Sequence, residues 1–84
     1  MNKRKLLQKL LASPSNTRFD AVRGLVEAFG FNLMRISGSH YVFKHPAIPD
    51  LLNLQEADGE AKPYQVRQFL RLIERYHLML EDTK

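Results

Sequence analysis

The sequence predicts an α+β domain in which helices cover one face of a three-stranded antiparallel sheet, in the order α-α-β-β-β-α, as one domain over residues 1–84. Three observations predict it. Apolar residues recur at helical spacing near both ends of the chain, two β-favouring runs flank Ser37-Gly38-Ser39, and the connections in the middle are too short for parallel crossovers. Amphipathic helices bury their stripe against one sheet face and leave the other to solvent or a ligand. A chain of 84 residues has room for one core only. A domain of that size buries about 60% of the surface its unfolded chain exposes, so its stability margin is expected to be modest.

Leu6, Leu7, Leu10 and Leu11 predict a first helix over 3–11, and Ser13-Pro14-Ser15-Asn16 stops it. Phe19, Val22, Leu25, Val26 and Phe29 mark one face of a second helix, with Asp20 as the expected N-cap and Gly30 placed to end it. Strands are expected over 31–36 and 40–45 as a hairpin about Ser37-Gly38-Ser39. Pro46 and Pro49 end the second strand because neither can donate to a ladder; a short third strand follows over 51–55. Residues 57–61, with Asp58-Gly59 inside, read as an exposed loop. Lys62-Pro63 opens a last helix running to about Leu80, because proline is tolerated at the first helical position. Val66, Phe69, Leu70 and Ile73 are its expected buried stripe, with Arg67, Arg71 and Arg75 along another face.

The chain contains no cysteine, which excludes disulfides and thiolate metal sites and fits a reducing compartment. Lys3-Arg4-Lys5 precedes an apolar patch that Gln8 and Lys9 interrupt, too short and too polar for a signal sequence or a membrane span. The expectation is a soluble cytoplasmic protein with no membrane partner. Lys and Arg total 13 against 9 for Asp and Glu, a formal net charge of +4, and such a field attracts polyanions, of which nucleic acid is the commonest in cytoplasm. No repeat, low-complexity tract or Gly-rich phosphate loop is present. Asp50, Glu56, Asp58 and Glu60 lack any recognised metal-ligand spacing, and no Ser-His-Asp arrangement suggests itself, so neither metal nor cofactor is expected.

Three histidines remain as carriers of chemistry. His77 continues the stripe of the last helix and reads as structural. His45 lies five positions after His40 on one strand, an odd separation that puts the two on opposite sheet faces and prevents them from acting as a pair. His40 follows Gly38-Ser39 at the hairpin corner, where a side chain is at least partly exposed and backbone N–H groups point outward, so it is the candidate functional residue.

The segment Gly38-Ser39-His40-Tyr41-Val42-Phe43-Lys44-His45-Pro46 closely resembles the central signature of the HicA family, small toxins of bacterial toxin-antitoxin pairs. Arg18-Phe19, Phe29-Gly30-Phe31, Leu52-Asn53-Leu54-Gln55 and Lys62-Pro63-Tyr64-Gln65-Val66-Arg67-Gln68-Phe69-Leu70 look like one branch of that family, so the resemblance covers most of the chain from Asn16 to Leu78. The N-terminal helix expected within residues 1–12 is additional to the most compact members. The resemblance implies a double-stranded-RNA-binding-domain-like fold, an endoribonuclease that cleaves mRNA, and neutralisation by a HicB-type antitoxin protein. It also implies that His40 is the catalytic residue. Many members carry a second histidine where this chain has Tyr41, which leaves the primary position intact and removes one helper.

The chemistry is consistent with a lone histidine. RNA carries its own nucleophile, the 2′-hydroxyl, and can be cleaved without a metal by positioning and proton transfer. A free histidine titrates near 6.5, which leaves both protonation states available near neutrality. Expected RNA contacts are the backbone N–H groups of Gly38 and Ser39, Lys44 on the face of His40, Lys62 at the last helix N-terminus, and Arg67 on that helix; a solvated surface is the competing reading of Lys62 and the arginines. Two other functions stay open: a non-catalytic RNA-binding module, and a protein-interaction domain whose basic face meets an acidic partner.

Overall fold

The computed structural model describes residues 2–81; residues 1 and 82–84 of the expected domain lie outside the described residues. The elements are α1 (Lys3–Ala12), α2 (Phe19–Ala28), β1 (Asn32–Ser37), β2 (His40–Lys44), β3 (Leu51–Ala57), β4 (Glu60–Ala61) and α3 (Pro63–Tyr76). All strand pairs are antiparallel and the sheet order is β1-β2-β3-β4. The α+β class stands, and the sheet has four strands where three were expected.

The extra strand comes from residues 57–61, read as a loop. Asp58 and Gly59 both take positive φ, 54° and 79°, and close a two-residue hairpin in which Ala57 pairs with Glu60. Positive φ at both central positions is the primed turn whose twist matches that of the strands it joins. Glu60–Ala61 is too short to show periodicity and is held by non-local partners. Phe19 N–H donates to the Gly59 carbonyl, Ala61 N–H donates to the Thr17 carbonyl, and Arg18 bridges to Glu60. The Arg18 guanidinium also lies over Gly59, 2.8 Å from where a Cβ would stand. Gly59→Ala is expected to cost about 1–2 kcal/mol, chiefly from the left-handed backbone, and to lower Tm by about 4–16 °C in a thermal melt.

That same contact corrects the start of α2. Asp20 is not its N-cap: the helix begins at Phe19 after Arg18, with no side-chain cap, and Asp20 sits in the first turn. The Phe19 N–H, one of the four donors a helix start leaves without an intrahelical partner, meets the Gly59 carbonyl, while Asp20 adds negative charge where the helix dipole favours it. At the other end, Gly30 N–H donates to Glu27 and Phe31 N–H to Val26, the paired bonds of a Schellman closure. In α1, the Asn2 carboxamide accepts from the Arg4 and Lys5 N–H groups.

The helices pack on one sheet face. Tyr41 and Phe43 of β2 and Leu52 and Leu54 of β3 point toward Phe19, Val22, Leu25 and Val26 of α2 and Val66, Phe69 and Leu72 of α3. Leu6 and Leu10 of α1 join the same core, whereas Leu7 is half-buried and Leu11 is 64% exposed. In α3 the buried stripe is Gln65, Val66, Phe69 and Leu72; Leu70 and Ile73, expected inside, are half-buried.

α3 ends at Tyr76, short of Leu80. His77 takes a left-handed conformation (φ 54°, ψ 44°) and its N–H donates to the Ile73 carbonyl, so its role is a helix C-cap, on an exposed residue. The chain then folds back, Leu78 and Leu80 line a cleft with Leu7, Phe29 and Ile73, and Glu81 N–H donates to the Ala28 carbonyl at 2.7 Å. Leu78 and Leu80 are half-buried there, while Met79 between them is 77% exposed. Tyr76 O–H donates to Asp50 at 2.6 Å, tying the end of α3 to the segment before β3; that bond holds the phenol above its ordinary pKa. Among the described residues, no helix is long and apolar enough to cross a membrane.

Candidate active site

The hairpin between β1 and β2 places His40. Ser37 pairs with His40 across a two-residue loop, Gly38-Ser39, and Gly38 takes φ +59° while Ser39 does not take a positive value, the pattern of a type II′ turn. Open space surrounds the Gly38 Cα, so glycine is required there by backbone conformation alone.

Strand alternation then separates two chemistries. Tyr41 and Phe43 face the helices, and His40, Val42 and Lys44 face away. β3 places Leu51, Asn53 and Gln55 on that outer face, opposite Lys44, Val42 and His40. β1 contributes Asn32, Arg35 and Ser37, and it does so through a bulge at Met34: the register slips between Leu33 and Arg35, which turns Leu33 toward Phe43 while Arg35 stays beside Val42. Over these three strands the outer face carries an imidazole, amides, hydroxyls and two cations, and no carboxylate. Glu56, one row beyond Gln55, alternates to the other face, and Glu60, opposite Ala57 two rows beyond, is the nearest acid on this face by register.

His40 is half-buried, and its Nδ1 lies 3.3 Å from Oδ1 and 3.2 Å from Nδ2 of Asn53. Gln55, directly opposite His40, donates from Nε2 to the Ser39 hydroxyl at 3.4 Å, and the Ser39 carbonyl accepts from Glu56 N–H. The hairpin corner is therefore fastened to β3 by backbone and side chain, and His40 stands on a fixed platform.

The other expected contacts divide. Lys62 N–H donates to the Gln55 carbonyl, continuing the β4 register, so Lys62 stands in one row with Gln55 and His40. Two strand spacings put its backbone about 10 Å from that of His40. Lys44 is exposed on the same face, about 13 Å along β2, at four residues' rise. Gly38 is exposed and Ser39 half-buried at the corner itself. Arg67 is elsewhere: it lines the groove between α1 and α3 with Leu7, Leu11, Leu70, Arg71 and Ile73, because its position on α3 turns it into the helical layer. Arg71 and Arg75 flank Asp50 at the side of α3. Of the acidic loop residues, Asp50 serves Tyr76, and no three His, Cys, Asp or Glu residues cluster among the described residues.

His45 belongs to a different system. It follows β2, is 8% exposed, and packs edge-on against Phe31 with centroids 5.1 Å apart. Ala47 N–H donates to its Nδ1 at 3.0 Å, so the proton is on Nε2, which donates to the Phe29 carbonyl at 3.1 Å. That carbonyl is one of those the end of α2 leaves without an intrahelical partner. His45→Ala strands a buried acceptor and a donor, and is expected to cost about 2–4 kcal/mol in urea denaturation while leaving the His40 face unaltered.

Asn53, Gln55 and Arg35 were not singled out from sequence. The alternation of Leu52 and Leu54 with Asn53 and Gln55 did signal that the two amides share the face opposite the core; the bulge that orients Arg35 left no such signal. Comparison with family models, with curated proteins and with solved structures gives no match to this chain.

Proposed function

We propose that this protein is a metal-independent endoribonuclease of the HicA toxin type, cleaving mRNA in the cytoplasm at His40 and neutralised by a HicB-type antitoxin. The observation that carries the reading is a single partly exposed histidine, tethered through Nδ1, on an open sheet face that bears Arg35 and Lys44 and no acid over β1–β3. From α2 onward, one helix precedes the antiparallel sheet and one follows it on the same side, which supports a double-stranded-RNA-binding-domain-like description; the short β4 is an addition within the β3–α3 connection.

In the proposed reaction His40 takes the proton from a ribose 2′-hydroxyl as the 2′-oxygen attacks the adjacent phosphorus. The P–O5′ bond breaks, the 5′-oxygen takes a proton from solvent water as it leaves, His40 later returns its proton to solvent, and the products are a 2′,3′-cyclic phosphate and a 5′-hydroxyl. Arg35, Lys44 and Lys62 hold neighbouring phosphates, and the N–H groups of the Gly38-Ser39 corner face charge building on the phosphoryl oxygens. Arg67 stands outside this face, which leaves it to contacts of the helical layer.

The test is incubation of the purified protein with a long mRNA in chelator, followed by analysis of product ends. Cyclic phosphate ends are expected. RNA that is bound in a salt-dependent manner and left intact would instead make the protein a binding module, and no RNA affinity at physiological salt would leave the basic face to a protein partner.

A further inference from the structure

We propose that Asn53 is the positioning residue of this site: its carboxamide oxygen accepts from Nδ1–H of His40 and so makes Nε2 the nitrogen that exchanges protons at the open surface. That Asn53 engages Nδ1 rests on geometry, and the amide orientation on hydrogen-bond chemistry; the consequence for catalysis rests on the ribonuclease reading.

Four observations lead to it. Asn53 sits diagonally across β2–β3 from His40 on the outer face, and such diagonal pairs, about 7–8 Å apart at the backbone, suit an imidazole and a short amide. The contact is made by Nδ1, at 3.2–3.3 Å, and leaves Nε2 without a partner among the described residues. The residue directly opposite His40, Gln55, is engaged with Ser39 and does not compete. Val42, directly opposite Asn53 and two residues beyond His40 on the same face, is 9% exposed where no helix covers it, so its neighbours' side chains close over it and narrow the space in which His40 can swing.

The two ends of the amide lie at nearly equal distance from Nδ1, and chemistry decides between them. With the amide nitrogen inward, Nδ1 must accept, and that bond is lost whenever the ring takes a second proton. With the oxygen inward, Nδ1–H donates in both the neutral and the cationic ring, so His40 keeps one orientation while Nε2 gains and loses its proton. An amide does this without adding negative charge to a face that meets phosphate.

The experiment reads the ring nitrogens of His40 directly, by long-range ¹H–¹⁵N NMR on the full chain, in the parent, Asn53→Ala and Asn53→Asp, with a backbone spectrum confirming that each folds. The parent and Asn53→Asp are expected to show the Nδ1–H form, and Asn53→Ala to lose that preference. For cleavage, Asn53→Ala is expected to lower kcat about 10- to 100-fold, a part of the 10²–10⁴ that acid–base catalysis supplies, with KM for RNA nearly unchanged. Asn53→Asp is expected to recover rate and to move the pH profile upward, because a carboxylate favours the cationic ring. An Nε2–H signature in the parent, or no change in Asn53→Ala, overturns the inference whatever the RNA results. If the signatures follow expectation and the parent leaves RNA intact, the placement of the proton is upheld and it is the ribonuclease reading that falls.

Discussion

His40→Ala is expected to reduce RNA cleavage by about 10²–10⁴-fold, with Tm and RNA affinity close to those of the parent. The upper part of that range applies because no second histidine shares the outer face: His45 is buried beneath α2 with both ring nitrogens occupied, and His77 caps α3. Stability should change by no more than about 0.5 kcal/mol, since His40 is half-buried and its one side-chain contact is to an amide that solvent can serve instead. Phosphate contacts from Arg35, Lys44 and Lys62 survive the substitution, so a gel-shift titration at fixed salt should give nearly the same Kd. Residual cleavage comparable to the parent would remove His40 from the mechanism. A joint loss of cleavage and Tm would instead make it a structural residue of the hairpin.

The parts of this molecule legible in its sequence are those whose information is local and periodic. The stripe Phe19, Val22, Leu25, Val26 and Phe29 is buried throughout, and the hairpin about Gly38-Ser39 closes where the turn residues place it. The opposite facing of His40 and His45 followed from parity alone. What was not legible depends on partners distant in the chain. β4 exists because Thr17, Arg18 and Phe19 pair with Gly59, Glu60 and Ala61, although Asp58-Gly59 was a hairpin signal in its own right. Asp20 was the better N-cap by composition and lost that place because a carbonyl from another hairpin met the helix first. Arg67 was grouped with His40 by charge and by its position after Lys62, but five positions along a helix is most of one and a half turns, enough to carry a side chain from the sheet face into the helical layer. Asn53 is placed by the period of β3 alone, but an amide announces no chemistry until the group it touches is known.

Phe43→Ala should produce the largest loss of stability, about 3–5 kcal/mol. Phe43 is fully buried on β2, an inner strand of the sheet, paired with Leu33 on one side and Leu52 on the other and facing the core that α2 and α3 complete. A domain of this length is expected to have roughly 4–13 kcal/mol in total, so the substitution removes a large share and can leave the chain partly unfolded at 37 °C. The same strand carries His40 three residues earlier, on the opposite face. Loss of cleavage by Phe43→Ala is therefore expected to track the unfolded fraction in urea and to disappear when rates are corrected for folded protein, whereas the loss in His40→Ala is independent of it. A full-rate Phe43→Ala protein with an unchanged urea midpoint would mean that the core closes around the missing ring, which the interlocked Phe29, Phe31 and Phe69 nearby make difficult: their centroids already sit 5.6–6.0 Å apart in edge-on contacts that fix each ring against the next.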